Sequence, residues 1–487
     1  MTLSKMPFNK KISSYFSCLF LLGLLAGCKA SEPTPLPALR SVPTTFQASS
    51  DSTSLADLSW KEFFRDPFLV NLIDSALQHN PDVLSAVQQV EIARANTLLS
   101  RGALLPQVTA IGAAGVEKFG DYTMTGVGNF DTNLSPNINE NQKVSQPLVP
   151  DYFLGLRSAW EVDLWGKLRK AKKAAFTRLM ASEKGKQLVT TALISEVAHQ
   201  YYYLLALDRE KMILENNIKL QQTALEMVKV QKEAGRATQL AVQQFEAQLL
   251  NTRGLKAEKE REIQAVEGQL NQLLGRYPQP IVRSQTLDAQ ELPAQMKAGV
   301  PSDLLRRRPD IQQAELELQA AQADVAAARA AFLPSLMLSP YVGFNSFNAS
   351  LLFKPASVAY GIIGGLSAPL LNRSGIKADF RRADAAKIQA YHAYQKSILT
   401  GVREVMTNLR EIENYQQASA LKEQEVKVLQ NAVSTSNDLF TSGYASYLEV
   451  ITAQRGVLEA ELKLAATKRT VLQSTVNLYR ALGGCWK

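Results

Sequence analysis

From Tyr152 to Asp163 apolar and polar positions alternate. Tyr152, Leu154, Leu156, Ser158, Trp160 and Val162 fall on one side; Phe153, Gly155, Arg157, Ala159, Glu161 and Asp163 fall on the other. A period of two predicts a strand. One mostly apolar face and one partly charged face fit a strand between lipid and water, at about the 10 residues a membrane barrel needs. An amphipathic strand of a soluble sheet has the same pattern, and this segment alone does not separate the two. The small, β-tolerant run 107–116 predicts its neighbour, across a loop at 117–150 rich in Gly, Asn, Asp and Pro, which is turn chemistry. Together they make a strand hairpin over 107–163. A second hairpin is expected at 335–366, from strands 335–344 and 358–366 around the short loop 345–357; here Gly361, Gly364 and Gly365 blur the two faces.

The helical segments are longer. Residues 167–234 and 376–442 contain no proline and are rich in Ala, Leu, Lys, Glu and Gln, all strong helix formers. At ~1.5 Å per residue each run spans roughly 100 Å. Gly185 interrupts the first and predicts a bend. Gly235 and Gly443 predict turns, after which helices return over about 239–274 and 447–482. A helix over 67–105 breaks before Pro81 and restarts with Asp82 in its first turn, where an acid suits the dipole; the Ala-rich stretch 310–333 is its counterpart. The helices 67–105 and 239–274 together match the length of one long helix, so they can stack end to end beside it. The run Arg306-Arg307-Arg308 is read as a solvated helix start.

These segments recur. Pro81, Asp82, Ala86, Ala93, Ala95, Arg101, Ala103, Leu105 and Pro106 reappear 228 positions later, between Pro309 and Pro334. Ser158-Ala159 and Gly166 reappear 209 positions later; Gly235, Ala237, Leu240, Val242 and Leu274-Gly275 reappear after 208. Two tandem copies of one unit therefore make up the chain, the first with 19 extra residues between Pro106 and Ser158. Repetition at this scale points to an assembly built by symmetry. Four strands cannot close a barrel, and an open sheet edge cannot sit in lipid. A trimer contributing twelve strands is the simplest closed solution. A filamentous coiled coil is the alternative, but it predicts sustained heptads without hairpins.

The chain start reads as a secretory signal at 1–27: Lys5, Lys10 and Lys11, an apolar stretch at 15–25 too short to span a bilayer, then Leu25-Ala26-Gly27-Cys28. Small residues before a cysteine predict lipoprotein processing with a covalent lipid on Cys28; a plain signal with an incidental cysteine is the alternative. Lys29, in place of an aspartate, predicts sorting to the outer membrane. A lipidated tether at 28–66 follows, then the first repeat at 67–275, a Pro-rich linker at 276–301, the second repeat at 302–483 and a short tail at 484–487. Without residues 1–27 the charge is +6, interspersed, with no tract suited to nucleic acid. Cys485 is the only cysteine beyond Cys28, so no internal disulfide is expected once Cys28 is acylated. The histidines His79, His199 and His392 lie far apart without metal-ligand spacing, no phosphate loop or nucleophile elbow is present, and neither an enzyme nor a cofactor is expected. Acids such as Glu161 and Asp163 are candidates for tuning ion passage.

Three stretches carry a family resemblance: Val300-Pro301-Ser302-Asp303-Leu304-Leu305-Arg306-Arg307-Arg308-Pro309-Asp310-Ile311 with Ala328-Arg329-Ala330-Ala331-Phe332-Leu333-Pro334; Trp160-Glu161-Val162-Asp163-Leu164-Trp165-Gly166-Lys167-Leu168-Arg169; and Ala453-Gln454-Arg455. Over essentially the whole mature chain the sequence resembles the TolC-type outer-membrane efflux proteins, in their lipoprotein (NodT-type) branch. The resemblance implies a mainly α fold with a membrane β-barrel: a homotrimer whose four strands per chain complete a 12-strand outer-membrane barrel, plus a long periplasmic α-helical tunnel. It implies docking to a periplasmic adaptor and an inner-membrane transporter of the resistance-nodulation-division (RND) type, and passive conduction of their cargo. By the same resemblance, the periplasmic gate candidates lie around the glycine turns: Leu448, Glu449, Thr452 and Arg455. The family often has an aspartate where this chain has Thr452, so Glu449 is the nearest acidic substitute as partner of Arg455. Arg236, Ala237, Tyr444 and Ala445 are the adaptor-contact candidates. A non-conducting structural lipoprotein and an exit duct for type I protein secretion remain as alternatives.

Overall fold

The computed structural model describes residues 32–46, 54–283, 286–290, 298–368 and 373–484. The expected signal segment at 1–27, Cys28 and Cys485 lie outside the described residues. The elements in chain order are α1 (Trp60–Phe63), α2 (Pro67–His79), α3 (Pro81–Gly102), β1 (Gln107–Glu117), α4 (Met124–Leu134), β2 (Val149–Val162), α5 (Lys167–Glu233), α6 (Gln239–Leu273), α7 (Leu304–Arg307), α8 (Pro309–Ala330), β3 (Ser335–Ser346), β4 (Val358–Ser367), α9 (Ser374–Thr441) and α10 (Tyr447–Ala481). Packing does not follow the tandem copies. It groups residues 93–178 and 318–390 with the chain start into one compact unit, and 37–92, 179–317 and 391–487 into another, so each unit draws on both repeats.

The first unit is built on the sheet. The four strands lie in sequence order, each antiparallel to the next, with β1 and β4 as open edges. Opposed residues share a face, so the register sorts the side chains. Ala110, Leu156, Val342 and Tyr360 form one row, and Leu154, Phe344 and Val358 part of the next. This face is apolar through all four strands and largely exposed in the single chain. The other face carries Thr109 opposite Arg157 and Arg157 opposite Tyr341. Here glycines of β2, β3 and β4 do more than blur the pattern. A Cβ on Gly361 would stand 2.7 Å from the Tyr341 ring, while one on Gly155 or Gly343 would first strike the facing strand's backbone, at 2.4 to 2.7 Å, and then crowd the Phe153 ring at 3.0 to 3.1 Å. Aromatic rings lie down over strand positions that have no side chain.

Two expectations change. The 117–150 loop is not turn chemistry throughout, since it contains α4, capped by Thr123 on the Gly126 N–H. Its residues Gly126, Gly128 and Asn129 are weak helix formers, which is why the sequence conceals it. Gly185 does not interrupt α5, which is continuous from Lys167 to Glu233. A Cβ there would meet the Gln313 side chain at 3.1 Å, so this glycine serves close approach.

The second unit is helical. Its core holds Tyr201, Ile194, Leu204, Leu207 and Tyr479, all fully buried. Phe63 stacks on Tyr479 at 4.0 Å between centroids, and the Tyr479 hydroxyl donates to Leu58 O. Asp66 caps α2 through the Phe68 N–H and accepts from the Tyr201 hydroxyl at 2.6 Å. Burial first, and then that carboxylate, push the Tyr201 hydroxyl far above its ordinary range.

Candidate functional site

The glycine turns are built alike. After α5 the Gly235 N–H donates to Lys232 O and the Arg236 N–H to Gln231 O; after α9 the Gly443 N–H donates to Phe440 O and the Tyr444 N–H to Leu439 O. Both glycines are left-handed, with φ of 71° and 80°. These paired bonds satisfy helix-end carbonyls that would otherwise lack donors. Thr238 and Ser446 then cap the returning helices. Beneath the turns Leu225, Val228, Ala241, Val242, Phe245, Leu249 and Val450 form a buried cluster, with Phe440, Tyr447 and Ile451 packed against it. The two hairpins are therefore fastened to each other just below their tips.

Around this cluster the sequence-selected residues separate. Leu448 is 57 % exposed and Tyr444 86 % exposed. Arg236 is exposed too, whereas Ala237 and Ala445 are half-buried. Leu240, which corresponds to Leu448 in the first repeat, is 55 % exposed and is a symmetry-related position the sequence reading did not select, although the 208-residue shift pointed to it. Glu449 is not the partner of Arg455. Its carboxylate takes the Ser446 hydroxyl, and that bond holds it below the usual carboxylate range. Arg455 pairs instead with Glu459, one helical turn on, at 3.0 Å. Thr452 is exposed.

Glu161 and Asp163, candidates for ion tuning, are occupied at the corner between β2 and α5. Glu161 pairs with Lys167 at 2.6 Å. Asp163 accepts from the Leu168 and Arg169 N–H groups and from Arg169 Nε, each at 3.0 Å. Burial pushes its carboxyl up, but these donors together outweigh that and hold it below the usual range. The acids anchor the helix start, where the dipole favours them.

The arginine run also departs from expectation. Arg306 is solvated, but Arg308 is buried. It forks onto Asp310 through Nε and Nη2, at 3.0 and 2.7 Å, and donates through Nη1 to Glu404 at 2.8 Å and Ala481 O at 2.9 Å. Asn80 holds the same place in the first repeat, capping α3 through the Asp82 and Val83 N–H groups and donating to Leu273 O. Each kink residue thus ties one helix break to the end of a returning helix. The larger Arg308 lies against Gly401, where a Cβ would meet its side chain at 3.2 Å. The smaller Asn80, with Leu193, borders a cleft of about 900 Å³.

The tether has its own receptor. Asp384 accepts from the Thr34 N–H and hydroxyl, and Lys387 Nζ donates to Thr34 O at 2.6 Å and to Asp384 at 2.7 Å. Burial raises the Asp384 carboxyl, but Lys387 and Thr34 outweigh it and hold it low. Among the described residues no helix is long and apolar enough to cross a membrane.

The outer membrane efflux protein family matches residues 72–276 and 300–484. The chain belongs to this family. This efflux protein is 31 % identical over 480 residues to the pyoverdine export outer membrane protein OpmQ of Pseudomonas putida, covering 96 % of this chain and 97 % of that one. It is 28 % identical to the probable outer membrane lipoprotein SilC of Salmonella typhimurium, covering 95 % and 97 %. The outer-membrane channel OprN has the same fold, with a TM-score of 0.83 at 25 % identity over 94 % of this chain and 99 % of that one. Membership makes the protein an outer-membrane efflux channel, in a family of channels and not of enzymes.

Proposed function

We propose that three copies of this efflux protein close a twelve-strand barrel and act as the exit duct of a tripartite pump. The observation that carries this is the four-stranded sheet with both edges open and one face apolar from β1 to β4. Unpaired strand edges in lipid cost several kcal/mol per backbone group, so β1 of one copy must find β4 of the next. The apolar face then meets lipid and the Arg157 face lines the lumen. The reverse orientation would place an arginine against hydrocarbon, at about 2–4 kcal/mol per copy. α5 and α9, each roughly 100 Å long at 1.5 Å per residue, supply the periplasmic tunnel. Cargo enters from a periplasmic adaptor and an inner-membrane transporter of the RND type, and the duct itself is passive.

Within this reading Cys28 carries the lipid, and the Thr34–Asp384 clamp fixes the tether that leads to it. Leu448 and Leu240, exposed at equivalent sites above the shared cluster, are apolar gate positions that meet across the three-fold axis, with Glu449, Thr452 and Arg455 beside them. Arg236, Ala237, Tyr444 and Ala445 receive the adaptor. Electron microscopy of protein extracted from outer membranes tests the assembly. A hollow three-fold particle is expected, and a solid rod or a compact monomer would overturn the reading in favour of a structural lipoprotein.

A further inference from the structure

Along the lumen-facing positions of the four strands, charge is sparse. Glu117 and Asp151 stand at the loop end, Glu161 stands at the opposite end and is paired with Lys167, and Arg157 is the one cation between them. Arg157 is exposed in the single chain, and no carboxylate pairs with it among the described residues. Its guanidinium lies over the Phe153 ring at 4.6 Å from the centroid, and Phe153 meets Tyr341 edge to face at 6.5 Å. The Tyr341 ring is seated on Gly361, where a Cβ would strike it, and the Phe153 ring lies close over Gly155 and Gly343. The cation is thus held in place by an aromatic floor that neutralises none of its charge.

We propose that Arg157 makes the barrel lumen selective for anions, through a ring of three guanidinium groups that attracts solutes bearing carboxylate or sulfonate groups and repels cations. The inference rests on the trimeric duct reading. Three like charges around one aqueous passage with low-dielectric walls sum their fields, because field lines are confined to the water. Stacking on Phe153 favours the cation without discharging it. Its donors stay free for a passing anion.

Thr109 stands directly opposite Arg157 on the same face and provides a reporter. In intact cells, on a Cys485→Ser background, Thr109→Cys is treated from outside with a negatively charged sulfonate and a positively charged ammonium methanethiosulfonate. The ratio of the two rates is the readout, since any effect of the arginine on the thiol itself alters both rates alike. With Arg157 present the anionic reagent is expected to be favoured by roughly two- to tenfold relative to Arg157→Ala, less so at high salt. Arg157→Lys should retain most of the preference and Arg157→Glu should invert it. An unchanged ratio in Arg157→Ala overturns the proposal while leaving the duct intact. A cysteine unreactive to both reagents removes this face from an open lumen, and the proposal with it. The shape of the imaged particle judges the duct separately.

Discussion

Arg308→Ala is the most informative single perturbation. The side chain is 7 % exposed and meets Asp310 and Glu404, which are 24 % and 20 % exposed. Removing it leaves two partly buried carboxylates near each other without their cation and leaves Ala481 O without this donor. Breaking a buried pair by deleting one partner costs about 3–5 kcal/mol. The residual exposure of both acids sets the expectation at the lower end, about 3 kcal/mol. Arg306→Ala is the internal control: that side chain is 82 % exposed beside Asp303 and should cost less than about 1 kcal/mol. Arg308→Lys keeps the charge but cannot fork onto Asp310, so it should recover only part of the loss. Urea unfolding of the detergent-solubilised full chain, followed by helical circular dichroism, measures the difference; where refolding fails, the unfolding rate serves. A loss for Arg308→Ala no larger than that of Arg306→Ala would refute the reasoning. Adding Glu404→Gln to Arg308→Ala should restore part of the lost stability, because it removes one of the two stranded charges.

Gly235→Ala and Gly443→Ala should each loosen one turn by about 1 kcal/mol, a purely conformational cost, since a Cβ at either site meets nothing within 4 Å. Hydrogen exchange at the tips should rise about fivefold, and unchanged exchange would contradict the left-handed turn. His199, bonded to Asn477, is held below its ordinary value first by burial. The unfolded chain therefore takes up this proton first on acidification, so stability should decline as pH falls below about 6.5. His199→Gln should flatten that decline in the same urea assay. Asp384→Asn should free the tether and speed proteolysis around Thr34. In the wild type the Asp384 contribution is present above the ordinary carboxylate value of about 3.8 and is lost as pH falls below it.

What could be read from the sequence was local or periodic. Tyr152 to Val162 announced its face because side chains alternate along a strand, and Gly235 and Gly443 announced their turns because left-handed backbone selects glycine. The strand order was partly legible, since the two hairpins were predicted, but the β2–β3 pairing that joins them links Leu156 to Val342 across the two repeats. Arg308 was misread for a similar reason. A triplet of arginines looks solvated until Glu404 and Ala481, far along the chain, are brought against it. The Thr34 receptor at Asp384 lies 350 residues away and leaves no local trace. Helix α4 was missed because its glycines and asparagines carry the composition of a loop. Arg455 has an acid six positions before it, Glu449, and one four positions after it, Glu459, and helical spacing gives Glu459 the better geometry.

The open edges of the sheet have a consequence for how the protein comes into being. A single chain holds two ends of a seam and cannot sew it by itself, because bending four strands round to meet would leave no room inside. In the proposed three-copy barrel, folding of the membrane portion requires three chains to meet, and its yield depends on how many copies meet before the exposed β1 and β4 find some other strand. Until then the apolar face has no bilayer it can enter without leaving backbone groups unpaired. On that proposal insertion and assembly become a single event, and a chain arriving alone must be kept waiting in water.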